Sequence, residues 1–286
     1  MRPSAFSKGE LHMTTKRTGT LSVPGATIYY QLQGAGPLLV LIQGGAGNAD
    51  GTAGIASHLT QQYQVLTYDR RGLARSTLDD ESDLEWGLEV HADDVHQLLA
   101  AVTSEPVLVF GTSIGALIGL ELLTHHPKQV HLLIAHEPPA PEVLPEPARG
   151  SAWRFQEEVE EIYAREGVPA AMKTFTEALL DFRDREPGLV LAPPDPKRGV
   201  DLAFFFGHDA PAARKYRLDL PGLRRATARS RLVLGGGETS RKVWPYQCAQ
   251  AIAHLLDVEF VEFPGGHNGW MLQPTAFAAR LAEVLG

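Results

Sequence analysis

Cysteine is nearly absent. Cys248 is the only one among 286 residues, which excludes an intrachain disulfide and any Cys-x-x-Cys metal pair and points to a reducing, cytoplasmic setting. Basic charge is in deficit as well. With 26 Lys and Arg against 34 Asp and Glu, the net charge is −8, so neither a nucleic acid nor an anionic membrane is an expected partner. Long apolar runs are missing too: residues 1–18 are polar and basic, read as a flexible tail rather than a signal peptide, and no later segment approaches a membrane span. There is no internal repeat, heptad run or low-complexity tract. Neither Gly-x-Gly-x-x-Gly nor a Gly-Lys-Ser/Thr phosphate loop follows the first apolar run, and no cofactor is implied. What remains is a chain that handles a small molecule, its oligomeric state unspecified.

What the chain does have is alternation. Thr27–Gln33 reads as an outer strand, and Pro37–Ile42, Val65–Asp69, Pro106–Phe110, Val130–Ala135, Arg231–Leu234 and Val258–Phe263 are short apolar runs of the buried, parallel kind. Helical stretches separate most of them: Gly54–Gln62, Leu84–Val102, Ile114–His126, Pro245–Leu256 and Pro274–Leu285. Strand, helix, strand at this spacing predicts an α/β fold, a mostly parallel sheet flanked by helices. The alternation breaks once. Residues 138–228 hold helical stretches at Ser151–Glu166 and Pro169–Arg185 and a proline-rich passage at Pro187–Pro196, too much chain for a crossover. They are expected to be a helical cap inserted into a core made of residues 19–137 and 229–286, over the strand ends where open α/β sheets bind ligands.

The chemistry centres on Gly111-Thr112-Ser113-Ile114-Gly115, which follows a strand run and opens a helix. A serine at such a turn has strained backbone angles and a hydroxyl held clear of the sheet, and the flanking glycines let strand and helix approach. Ser113 is therefore the candidate nucleophile, and its hydroxyl needs a base. Among eleven histidines, His267 alone sits in a glycine-flanked loop, Phe263-Pro264-Gly265-Gly266-His267-Asn268, just after a strand. An oxyanion hole needs two backbone N–H groups. Ile114 supplies one, and the loop Gln43-Gly44-Gly45-Ala46-Gly47-Asn48 after the Pro37–Ile42 strand offers Gly45 or Ala46 for the other.

These motifs, together with Tyr68-Asp69-Arg70-Arg71-Gly72-Leu73-Ala74-Arg75-Ser76, fall in the order used by the serine members of the α/β-hydrolase superfamily, which residues 20–286 resemble. The chain departs from many relatives at Gln43, where they carry a histidine. The resemblance implies an acid partner for His267 and leaves two places for it. Many relatives have the acid after the strand following the cap, which here is Glu238; others have it one strand after the nucleophile, which here is Glu137. The second placement is similar to that of the zearalenone lactonases, and Pro138 and Pro139 stiffen the chain right after Glu137, so Glu137 is preferred with Glu238 as the alternative.

The activity so implied is hydrolysis of a carboxylic ester or lactone of a small, apolar substrate through a Ser-His-Glu triad. A cofactor-free lyase or oxygenase, a C–C hydrolase, or a ligand-binding protein with a vestigial triad remain the alternatives on this scaffold. Asp69, Arg70, Arg71 and Arg75 are expected to pin their loop by ion pairs. The cap aromatics Trp153, Phe155, Phe175, Phe182 and Phe204–Phe206 are divided between core and pocket. His91 and His96, five apart and so not stacked on one helix face, do not make a metal site.

Overall fold

The apolar runs become the centre of one sheet. A computed structural model describes residues 16–80, 86–191 and 197–286. In chain order it begins with an antiparallel pair, β1 (Arg17–Val23) and β2 (Ala26–Gln33), followed by β3 (Leu38–Ile42), α1 (Ala53–Leu59), β4 (Gln64–Tyr68), a short β5 (Thr77–Leu78), α2 (Leu88–Val102), β6 (Val107–Thr112), α3 (Ile114–His125) and β7 (Val130–His136). Four helices then intervene: α4 (Ala148–Glu166), α5 (Val168–Leu179), α6 (Arg198–Phe204) and, after a π-helical turn at Phe205–Asp209, α7 (Ala210–Lys215). The chain returns through α8 (Leu220–Ala226), β8 (Arg231–Gly237), α9 (Trp244–Leu256), β9 (Glu259–Phe263), α10 (Gly269–Leu272) and α11 (Pro274–Leu285).

The sheet order is β1-β2-β4-β3-β6-β7-β8-β9, with β5 beside β2. From β4 to β9 every pairing is parallel, while β1, β2 and β5 join antiparallel at one edge. The parallel strands carry apolar residues on both faces because both are covered. On one face α2, α3, α8 and α9 pack a cluster containing Val40, Ile42, Val109, Leu117, Leu133 and Leu234. On the other, α1 and α11 cover Leu39, Leu41, Phe110, Ile134, Val233 and Phe263. Helix α3 is buried nearly all round, and each fully buried leucine on it contributes about 1.5–3 kcal/mol of transfer free energy. The turn that carries Ser113 is thus mounted between a strand buried throughout and a helix buried nearly all round.

The structure corrects the sequence reading in several places. The tail expected over residues 1–18 gives way to a strand at Arg17; residues 1–15 lie outside the described residues. Strand β1 carries no apolar run because most of it is exposed, as an edge strand allows. The helix expected from Leu84 begins at Leu88, with Leu84 itself outside the described residues, as is 192–196 of the proline-rich passage. Helix α5 stops at Leu179 rather than Arg185: the Asp181 side chain accepts the Arg183 N–H at 3.0 Å, a local turn that competes with helix. Helices α6 and α7 were missed because six or seven residues are too few to show a period. Helix α8, assigned by sequence to the insertion, packs on α3 and α9. Among the described residues no helix is long and apolar enough to cross a membrane.

Candidate active site

Ser113 stands between β6 and α3 with φ 55° and ψ −125°, a conformation costly for any residue with a Cβ and held here by its surroundings. Its N–H donates to His136 O at 2.9 Å. The neighbouring backbone comes so close that a Cβ on Gly115 would lie 2.1 Å from Ile42 O, and one on Gly44 would lie 2.9 Å from the Ser113 Cβ. The glycine loop and the serine turn are therefore in direct contact, and only glycine fits at either position.

Glu137 follows β7 directly and has φ 49°, so the two residues that the sequence nominated as nucleophile and acid both have a positive φ. Glu137 N–H donates to Gly235 O at 3.0 Å, which ties the turn to the next strand. Its carboxylate is wholly buried and both oxygens are used. Oε1 accepts from Gly237 N–H at 2.7 Å and from the Ser240 hydroxyl; Oε2 meets His267 Nδ1 at 2.6 Å. Since a carboxylate only accepts, Nδ1 carries a proton, and in the neutral imidazole Nε2 then keeps its lone pair. Burial pushes the Glu137 carboxyl up, but the hydrogen bond and charge of His267, then His136 and the Gly237 N–H, outweigh it and hold the group below the ordinary glutamate range. Glu238 has no such place: it is exposed, with its backbone N–H bonded to Phe263 O at 3.0 Å. The geometry brings Glu137 to His267 and leaves Glu238 in solvent.

Beneath this pair lies His136, fully buried among the rings of Phe110, Phe263 and Phe277. Neither ring nitrogen has a hydrogen-bond partner. Burial, only partly offset by Glu137, pushes it down to about 4, so it is neutral near pH 7.

The glycine loop is held from outside by arginines. Arg70, with no exposed surface, donates to Gln43 O at 2.8 Å, to Gly45 O, and to Asp209 Oδ2 at 2.8 Å. Arg198 donates to Ala46 O. Asp209 closes the π-helical turn, so the buried Arg70–Asp209 pair bolts the inserted segment to the loop that abuts Ser113. Burial raises the Asp209 carboxyl, yet the charges of Arg70 and His91 overcome it and hold it below the usual range. His91 Nε2 lies 3.3 Å from Asp209 Oδ1 without the alignment of a hydrogen bond. The expected ion pairs of the 69–76 loop exist but reach further than the loop. Arg75 does bind Asp69, at 2.7 Å, whereas Arg71 reaches Asp94 on α2 at 2.5 Å. Neither Arg198 nor Asp209 was singled out from sequence, because their partners are 152 and 139 residues away and no spacing connects them. Among the described residues no cluster of three or more His, Cys, Asp or Glu is gathered to hold a metal. His96 instead stacks on His126 at 3.7 Å.

Ser113, Ile114 and His267 line one wall of a cavity. The facing wall is built by the inserted segment: Phe155, Gln156 and Val159 from α4, Phe175 and Leu179 from α5, and Phe205 and Phe206 from the π-helical turn. Trp244 and Pro245 at the start of α9 complete it. Of the aromatics read from sequence, Phe155, Phe175, Phe205 and Phe206 face this space. Trp153 instead lies under Arg149 and Arg217, and Phe204 covers Gly72.

A strained serine after a central parallel strand, with a histidine from beyond the last strand on the same cavity, is the architecture of one family. Residues 37–193 match its model, described as the alpha/beta hydrolase fold, and the chain belongs to it. Among relatives, it is 38% identical over 274 residues to the uncharacterized hydrolase YraK of Bacillus subtilis, spanning 95% of this chain and 97% of that one. Solved structures share the fold at lower identity. An alpha/beta hydrolase from Sphaerobacter thermophilus superimposes with TM-score 0.69 at 20% identity, over 94% of this chain and all (100%) of that one. A thermophilic esterase from Thermogutta terrifontis does so with TM-score 0.70 at 19%, over 95% and 98%. The protein is a hydrolase of this family.

Proposed function

We propose that this chain cleaves a carboxylic ester or lactone by acyl transfer through Ser113, His267 and Glu137. The reading is carried by the 2.6 Å contact between Glu137 Oε2 and His267 Nδ1, which leaves His267 Nε2 as a proton acceptor on the cavity that Ser113 also lines. In the reaction, Nε2 takes the Ser113 proton as Oγ attacks the acyl carbon. The oxygen turned anionic is met by the Ile114 N–H, free of an intrahelical partner at the start of α3, and by Gly45 or Ala46 N–H from the loop clamped by Arg70 and Arg198. His267 then gives its proton to the leaving oxygen, and on the return step deprotonates the water that releases the acid.

Glu137 keeps the imidazole in the right tautomer and stabilises its charged form. Its own orientation is held by Gly237 N–H and Ser240, a device outside the reach of sequence reasoning because Ser240 is 103 residues away. A serine at this turn, not an aspartate, favours acyl transfer over the alkyl-enzyme chemistry of dehalogenases and epoxide hydrolases. The insertion from α4 to α7 acts as the cap, and with one buried thiol and no disulfide to preserve, the setting is a reducing cytoplasm.

The test is fluorophosphonate labelling together with hydrolysis of short p-nitrophenyl esters by wild type and Ser113→Ala. The reading expects a single adduct on wild type, none on the variant, and loss of turnover. An unlabelled wild type that turns over no ester would contradict it and direct attention to lyase, oxygenase or binding roles.

A further inference from the structure

The glycine loop that touches the serine turn is held by its oxygens. Gln43 O and Gly45 O both accept from the buried Arg70 guanidinium, Gly44 O accepts from Gly47 N–H at 3.0 Å, and Ala46 O accepts from Arg198. Four successive carbonyls are thus taken. In a trans peptide the N–H points opposite to the C=O of the same unit, so fixing these oxygens also fixes the direction of the N–H groups of Gly44, Gly45, Ala46 and Gly47. The last of them is the one that turns back onto Gly44. The other three find no acceptor among the described residues, and a Cβ on Gly44 would lie 2.9 Å from the Ser113 Cβ. Donors with directions set in advance, next to the attacking residue, are what a developing oxyanion needs.

The grip on this loop comes from the inserted segment. Arg198 opens α6, and Arg70 holds the loop while paired with Asp209 Oδ2 at 2.8 Å, both side chains having no exposed surface. A second residue of α6, Asp201, accepts the Ala74 N–H at 3.0 Å and so fastens the segment that carries Arg70. Asp209 ends the π-helical turn whose Phe205 and Phe206 line the cavity. One short turn therefore meets the cavity through two rings and the loop, by way of Arg70, through one carboxylate. A tie needed only for adhesion could fall on any outward side chain, whereas these fall on the main-chain oxygens of residues 43, 45 and 46.

We propose that Asp209 and Arg198 are positioning residues for catalysis: the first through Arg70 and the second directly, they aim the loop N–H groups at the substrate oxygen, so the insertion sets the rate of acyl transfer as well as roofing the cavity. This rests on the ester-hydrolase reading and adds the residues that hold its oxyanion site. The substrate oxygen gains its charge only as the bond from Ser113 Oγ to the acyl carbon forms and the carbonyl π pair moves onto oxygen. A displaced loop therefore weakens the transition state more than the bound ester. Acylation and deacylation both pass through such an oxyanion, so both slow.

The experiment follows p-nitrophenyl acetate and its thiono analogue, which has sulfur for the carbonyl oxygen, on wild type, Arg70→Met/Asp209→Leu and Arg198→Met. Sulfur is the weaker acceptor, so a working oxyanion site favours the oxygen ester. The double variant removes both charges of the buried pair together, and Arg198→Met leaves that pair alone. On the oxygen ester, kcat should fall about a hundredfold in the first and about tenfold in the second, against the scale of one lost oxyanion donor. KM should stay within about threefold of wild type. The oxygen-to-sulfur ratio of kcat/KM should fall about tenfold in the double variant and less in Arg198→Met; because it is a ratio on one enzyme sample, a loss of folded protein does not move it. The pH profile of kcat/KM should keep its position, since neither variant touches Glu137 or His267. A wild type that turns over neither ester removes the hydrolase reading and this inference with it. Turnover by wild type with a ratio that stays within about twofold in both variants overturns this inference alone.

Discussion

The two walls of the cavity are built differently. On the sheet side the turn and its loop are clamped by named bonds: both Glu137 oxygens are filled, and the carbonyls of Gln43, Gly45 and Ala46 are each taken by an arginine, while the side chains of Gln43, Thr112 and His136 stay without a partner. On the facing side, built by the insertion and the start of α9, the surface is aromatic, its one carboxylate is neutralised by Arg214, and Gln156 and Trp244 each have a buried polar atom without a partner. A wall whose loop and carboxylate are clamped at so many points is suited to holding reacting atoms in place. A wall lined by aromatic rings is suited to choosing what enters. The Arg70–Asp209 pair is the joint between them.

The comparison can be broken first at its rigid side. Ser113→Ala should lower ester kcat/KM roughly ten-thousand-fold or more, the scale on which triad members act, with unfolding by urea little changed; a smaller loss would mean the serine is a hydrogen-bond donor rather than the nucleophile. The joint comes next. Removing one partner of a buried ion pair strands the other charge, so Arg70→Met and Asp209→Leu should each cost about 3–5 kcal/mol of stability. The double variant should recover a large part of that sum, as a double-mutant cycle in urea would read. Additive losses would show that the two side chains do not act as a unit.

His136 distinguishes a structural buried group from a working one. Held near 4 when folded against about 6.5 unfolded, it binds fewer protons folded than unfolded between those values. Stability is therefore fully present above about pH 6.5 and lost as pH falls towards 4, by something on the order of 3 kcal/mol. His136→Leu should remove that part of the acid sensitivity, seen as a flatter slope of unfolding free energy from pH 7 to 4. Glu137 works in the same direction lower down, because its depressed carboxyl contributes stability above about pH 4.3 that fades as pH falls through its folded value. The smallest effect belongs to exposed Glu238. Its replacement by alanine should change stability by no more than about 0.5 kcal/mol in the same urea titration.

The legibility of the molecule follows this division. The parallel core could be read because strands buried on both faces must be apolar throughout, and Ser113, His267 and the glycine loop because each needs a local device: a small residue at a close approach, a sharp turn, a loop after a strand. Glu137 could be preferred over Glu238 only through the two prolines that follow it, since each glutamate follows a strand and what divides them is a partner far along the chain. The same holds for Arg198, Asp209 and Ser240, whose roles exist only once distant segments meet. Exposed β1 and the short α6 and α7 carry no pattern at all, because neither a solvated edge nor a two-turn helix needs one.

The measurement that bears most directly on the bound wall is kcat/KM of Glu137→Ala and Glu238→Ala on one p-nitrophenyl ester, with labelling by a fluorophosphonate followed in time. The account predicts a loss of a thousandfold or more and slowed labelling for Glu137→Ala, and rates within about twofold of wild type for Glu238→Ala. The reverse order, or equal and small losses, would contradict it.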